Sequence, residues 1–452
     1  MRSLLTLLAL APPLLAAPVP EDAPKPKPRA KLLGTLTLDA EVQSALWTPD
    51  GKHLVLATRQ RVLVYPRTAF DGPDKPKPLT AFDRPDSWSG LGLTPDGGVW
   101  VLAPAGSKVN AETRLLVWEA KTLLAGGEPK PDRTLTLEVD NITGLEWAAD
   151  GKSLYTHTLT SRALPKPNGG GGGWGGGVGG WNAEREYVPR FLRLDARTGD
   201  VAKSVPAADL TTNPYAGSVV DPRTGRLYLA TVDGEETVVQ CREPDGGKQV
   251  WERRLPGKPN PNTIGAMRLT PDGGQVAFVQ PILIVEQVQP GGGGNPFPPG
   301  GGGGGRGGGG ARPPQISATQ GAALVLLNAR TGEPGAEVSK TPLTGARVHS
   351  FSADGRLLFA GLTGTDGSRL VVWDGKTGVE VKTWVRGQPD VSAAFAPSGY
   401  ELAIVERERK EVLGPKVVLP VGGGQQWDTR QEVVRVDYTS TVGVWDLSPV
   451  VK

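Results

Sequence analysis

ALWTPDGKHLVLAT, residues Ala45 to Thr58, is two short apolar segments joined at Asp50-Gly51. Asp-Gly supplies the positive φ that a tight hairpin turn needs, and the flanking residues suit strands of a packed sheet. The stretch therefore reads as a β-hairpin. Outward from it, the same pattern returns as LGLTPDGGVWVLA from Leu91, LEWAADGKSLYTHT from Leu145 and SVVDPRTGRLYLAT from Ser218. It returns again as MRLTPDGGQVAFV from Met267, HSFSADGRLLFAGL from His349 and AAFAPSGYELAIV from Ala393. Two of the turns depart from Asp-Gly. Ser398-Gly399 replaces the acid, and Thr224-Gly225, after Asp221-Pro222, is one residue longer.

A third apolar segment follows each hairpin and ends near an aromatic or acidic residue. Examples are Val62 to Tyr65, Leu116 to Glu119, Leu192 to Asp195, Leu326 to Asn328, Val372-Trp373-Asp374 and Val444-Trp445-Asp446. Cys241 takes the place of Trp373 in its repeat. Thr-Gly turns come next at Thr198-Gly199, Thr331-Gly332 and Thr377-Gly378, and a fourth strand runs outward, as in Leu135-Thr136-Leu137. Seven repeats of four short antiparallel strands predict an all-β, seven-bladed β-propeller, because no single blade can bury its own faces. The last repeat stops after its third strand. An orphan strand, Leu32 to Leu38, precedes the first and is expected to complete the seventh blade, hiding two sheet edges.

These motifs resemble those of the WD40 and related Asp-Gly-turn (TolB-like) propellers over residues 31–448. The Thr-Gly turns also look like those of quinoprotein-type propellers. The resemblance implies the fold and carries no specific function. WD40 repeats usually add a Gly-His pair that bonds toward the Trp-Asp strand. With three histidines in all, this chain lacks that network in most blades and reads as a divergent member.

Three repeats carry long insertions between their second and third strands, at about 160–186, 289–314 and 409–431. They fall in the third, fifth and seventh blades and leave at the same topological point, so all should emerge from one face of the disc. Pro281 to Val288 and Glu432 to Tyr438 read as strand continuations, giving long hairpins. Glycine runs around Trp174 and Arg306 cannot bury enough surface to fold alone. Trp174, Trp181, Phe297 and Arg306 are the candidate contact residues, since aromatics on such loops stack on sugars or peptides.

Catalytic residues are sparse. His53, His157 and His349 have no metal-ligand spacing, and there is no Gly-x-Ser-x-Gly elbow. No Gly-Lys-Ser/Thr follows the glycine runs, which excludes a phosphate loop. Asp233 to Glu236 and Asp366-Gly367-Ser368 lack the spacing of a calcium loop. The innermost strands carry only scattered polar residues, Glu146, Asp221 and Arg268. No cofactor is expected. The expected function is a noncatalytic scaffold that binds a protein or an envelope polymer. The alternative is a channel-based enzyme of the quinoprotein dehydrogenase or lactonase-like metal hydrolase kind.

Composition sets the remaining bounds. The formal charge of +3 is spread over interleaved acids and bases, with no basic stripe for nucleic acid. One cysteine allows no internal disulfide. Arg2, the apolar run Leu4 to Leu15 and Ala16-Ala17 resemble a signal peptide over residues 1–17, followed by a Pro/Lys spacer over 18–30. The mature chain is expected to be a periplasmic or extracellular monomer without a membrane segment.

Overall fold

The computed structural model describes residues 30–451 other than 73–75, 86–89, 105–112, 138–141, 164–184, 207–216, 235, 245–247, 257–266, 288–315, 336–344, 365–366, 387–390, 414–416, 421–426 and 431–432. Seven antiparallel sheets succeed one another along the chain, and their first strands meet around a common axis. The chain is a seven-bladed β-propeller. Blade 1 shows the plan: Val42–Trp47 innermost, then His53–Thr58, Arg61–Pro66 and, outermost, Thr80–Asp83. In blade 5 three strands are described, Arg268–Leu269, Gln275–Gln287 and Ile316–Asn328. Pro334 bridges Leu327 where the other blades start their fourth strand. Blade 7 joins Val391–Phe395, Glu401–Leu413 and Val433–Asp446 to the N-terminal strand Lys31–Leu38, the expected closure.

Local chemistry explains the repeated hairpin. Gly51, Gly97, Gly151, Gly273, Gly355 and Gly399 all adopt positive φ. The Thr or Ser two residues before the turn acid ties both ends together. Thr48 Oγ1 donates to Asp50 Oδ1 at 2.6 Å and accepts the His53 N–H at 3.1 Å. Ser352 repeats this with Asp354 and the Leu357 N–H, at 2.7 and 2.8 Å.

A second turn, after the third strand, reads Asp195-Ala-Arg-Thr198-Gly199, Asn328-Ala-Arg-Thr331-Gly332 and Asp374-Gly-Lys-Thr377-Gly378. Its first side chain accepts the N–H groups two and three residues on, as Asp374 Oδ1 does from Lys376 and Thr377 at 3.0 and 2.9 Å. The Gly N–H then closes the loop onto the first residue's carbonyl. Blade 4 uses this five-residue turn, Asp221-Pro-Arg-Thr224-Gly225, inside its hairpin, which accounts for the extra residue there.

In several blades the segment after the third strand leans back on the outer strand of the preceding blade. Gly199 abuts Leu135 and Thr136, and Gly332 abuts the Trp251 ring. The Phe70 carbonyl of the 3-10 turn Arg67–Phe70 abuts Gly34. The short C-terminal helix Ser448–Val451 lies on Glu380–Arg386 of blade 6. Apolar clusters accordingly span neighbouring blades, for instance Phe359 and Trp384 of blade 6 with Phe395 and Leu402 of blade 7.

Cys241 sits opposite Tyr228 in the register that places Trp373 opposite Leu358, as the repeats predict. It is fully buried, and burial pushes its thiol above the ordinary range. Trp118 is one register position away, opposite Val99. There its indole stacks on Phe82 at 4.2 Å and donates to the Pro129 carbonyl at 3.1 Å.

Candidate binding face and central channel

Three strand pairs outrun their blades. In blade 3, Ser153–Ala163 pairs with Arg185–Asp195 through eleven residue pairs. In blade 5, Gln275–Gln287 pairs with Ile316–Asn328 through thirteen, and in blade 7 Glu401–Leu413 pairs with Val433–Asp446 through thirteen. The innermost strand of blade 7 stops at the Val391–Glu406 partnership, so Arg407–Leu413 continues beyond it. At about 3.3 Å per residue that is roughly 20 Å of two-stranded ribbon. All three ribbons join second to third strands, so they leave from one face.

The described side chains show how one ribbon stays apart from other sheets. Glu408, Arg409, Lys410 and Glu411 are exposed in succession. Arg409 pairs with Glu411 at 2.7 Å and Arg435 with Asp437 at 2.9 Å. Exposed pairs add little stability, but charge along an open edge discourages pairing with foreign strands. At the base, Arg407 meets Glu41 at 3.7 Å and ties the ribbon to the connection entering blade 1. Beyond the blade 7 ribbon, Val417–Pro420 pairs with Trp427–Arg430, a second strand pair that the sequence reading did not anticipate. Trp174, Trp181, Phe297 and Arg306 lie outside the described residues.

The channel holds the other polar candidates. Glu146 lies on the innermost strand of blade 3 between buried Leu145 and Trp147, and its own side chain is exposed. Its position is open to channel water yet surrounded by the ring. Desolvation raises its carboxyl above the usual range, and the attraction of Arg268 partly offsets this. Arg268 belongs to the innermost strand of blade 5, so the two act on each other past blade 4.

Asp221, the third polar exception, faces no channel. It is 3% exposed and caps the blade 4 turn through Arg223 and Thr224. Burial alone would raise its carboxyl, but these hydrogen bonds outweigh it and the net direction is down. His349 packs against Phe359 at 5.4 Å. Among the described residues no three His, Cys, Asp or Glu side chains gather as a metal site, and no helix is long and apolar enough to cross a membrane.

The raised carboxyl of Glu146 has a measurable sign. Below the unfolded value of about 4.3 both states hold the proton and the group contributes nothing. As pH rises from the unfolded value to the higher folded value the folded state is progressively penalised, and above the folded value the penalty is complete and constant. Glu146→Gln is therefore expected to raise the melting temperature at pH 8 and leave it unchanged at pH 3.5. Thermal melts at both values check this, and a destabilised variant at pH 8 would show that the carboxylate is held by a favourable partner.

No family model matches the chain, and no curated protein matches it. Solved structures that resemble it include the Dos1 propeller, 10% identical, covering 92% of this chain and 95% of that one at a TM-score of 0.45. Kuenenia stuttgartiensis hydrazine synthase is 13% identical over 83% of this chain and 93% of that one, TM-score 0.45. Pyrococcus horikoshii acylaminoacyl peptidase is 11% identical over 87% of this chain and 52% of that one, TM-score 0.45. Likeness at this level brings no function with it.

Proposed function

We propose that this chain is an exported, noncatalytic binding scaffold that holds a protein or an envelope polymer on its ribbon-bearing face. The observation that supports this reading is the placement of three long strand pairs between second and third strands of blades 3, 5 and 7. A rigid ring presenting extended elements from one side suits recognition, since loops on a fixed scaffold commonly carry it. In this reading Trp174, Trp181, Phe297 and Arg306 are the contact side chains at the ends of the ribbons.

The test compares the full chain with a variant in which residues 164–184 and 289–314 are replaced by short turns. Both are incubated with purified cell-wall sacculi and, separately, with a cell-envelope protein extract. At least a tenfold loss of retained ligand is expected in the variant, with its melting temperature unchanged. Equal retention by the two proteins would defeat the proposal.

A further inference from the structure

The closing strand Lys31–Leu38 is held differently from the strands it joins. Of its eight residues only Leu36 is buried, and Leu32 is 43% exposed. The strand beneath it, Val433–Asp446, remains paired on its other side along the whole of Glu401–Leu413. The cluster between blades 7 and 1 has fourteen buried members, of which Leu36 is the sole contribution of the closing strand. The others come from both blades, among them Val42, Trp47, Leu54, Ala394, Val405, Val442 and Val444.

Blades 7 and 1 are also joined by bonds that bypass this strand. Trp47 Nε1 donates to the Ala394 carbonyl at 3.1 Å. Arg67 grips Glu401 with Nε at 2.6 Å and Nη2 at 3.0 Å. Val42 N–H donates to Ser440 Oγ at 2.9 Å, and Gly51 packs on Pro397 and Ser398. Ser440 Oγ also donates to the Ala40 carbonyl at 2.7 Å, which fixes the hinge just after the strand. The strand itself rests on its backbone ladder, which slips between Leu32 and Gly34, on the fit of Gly34 beneath the Phe70 carbonyl, and on half-buried Leu33 and Leu38 at the edge of the same cluster.

We infer that Lys31–Leu38 is a strap that detaches as a unit from a ring that stays shut. Opening requires no break in the Trp47, Arg67 or Val42 links and, of the strand's own side chains, exposes buried Leu36 and half-buried Leu33 and Leu38. Such a segment belongs to the low end of the range of local stabilities in a fold.

Native-state hydrogen exchange on the full chain tests this. Amides of residues 34–38 are expected to exchange through an opening with little denaturant dependence, at least tenfold faster than those of Leu402–Val405. Gly34→Ala, whose added methyl runs into the Phe70 carbonyl, should speed exchange of 34–38 a further tenfold or more and leave 402–405 unchanged. If both segments exchange with one rate and one denaturant slope, or accelerate together in the variant, the strap opens only with the ring and the inference is overturned. Should the variant fail to fold, the unsubstituted chain still decides through its denaturant slopes.

Discussion

Phe359→Ala is expected to lower the unfolding free energy by about 3–5 kcal/mol, the range for deleting a buried phenyl ring. Phe359 sits on the second strand of blade 6 and is wholly buried. Its ring meets His349 at 5.4 Å and the edge of Trp384 at 6.3 Å, and Trp384 in turn meets Trp445 of blade 7 at 5.6 Å. The same cluster contains Ala393, Phe395, Leu402 and Ile404, so the void would open between two blades. Sheets of adjacent blades are held apart by their own backbones and cannot close over a missing ring. Phe359→Leu, which keeps most of the volume, should cost less than half as much. Chemical denaturation followed by circular dichroism gives both values. A loss below about 1 kcal/mol for the alanine variant would mean that the interface relaxes around the gap, against the close packing argued for it.

Gly332→Ala is the second large effect, expected at about 2–4 kcal/mol. Gly332 has φ +73°, a conformation that costs an L-residue about 1–2 kcal/mol. A Cβ there would also lie 2.6 Å from the Trp251 ring. The ring would have to shift, straining the 3.0 Å bond from its Nε1 to the Ala329 carbonyl, worth about 0.5–1.5 kcal/mol. Gly399→Ala separates the two contributions. Gly399 has φ +77° with open space beside it, so it carries the backbone cost alone. The difference between the two variants measures contact between blades 4 and 5. Equal losses would show that the Trp251 contact carries no weight.

The blade plan was legible because turn chemistry is local. Asp-Gly needs no tertiary context, and Thr48 or Ser352 closes its own loop. The closing strand was legible because Leu32 to Leu38 looks like an outer strand with no blade of its own. The five-residue Asp-x-Arg/Lys-Thr-Gly turn was visible only in fragments. Only its Thr-Gly end stands out, because the Asp or Asn four residues before the glycine also reads as the end of the third strand, and the copy in blade 4 lies inside the hairpin.

The candidate site was less legible. Which acid faces the channel depends on how the ring is packed, so Glu146 and Asp221 looked alike in sequence and differ in the structure. The shifted register of Trp118 likewise goes with a partner distant in sequence, Phe82, thirty-six residues away.

The odd number of blades gives the ribbon face a direction. Ribbons on blades 3, 5 and 7 stand roughly 100° apart, but the remaining arc, over blades 1 and 2, spans roughly 150° in a ring that repeats radially. Their second and third strands there run only six residues each. Among the described residues, a nearly symmetric wheel thus carries its long ribbons over one arc and short strands over the other. In the binding role proposed above, a bulky ligand coming to the axis from the side would meet the long ribbons everywhere except over that arc.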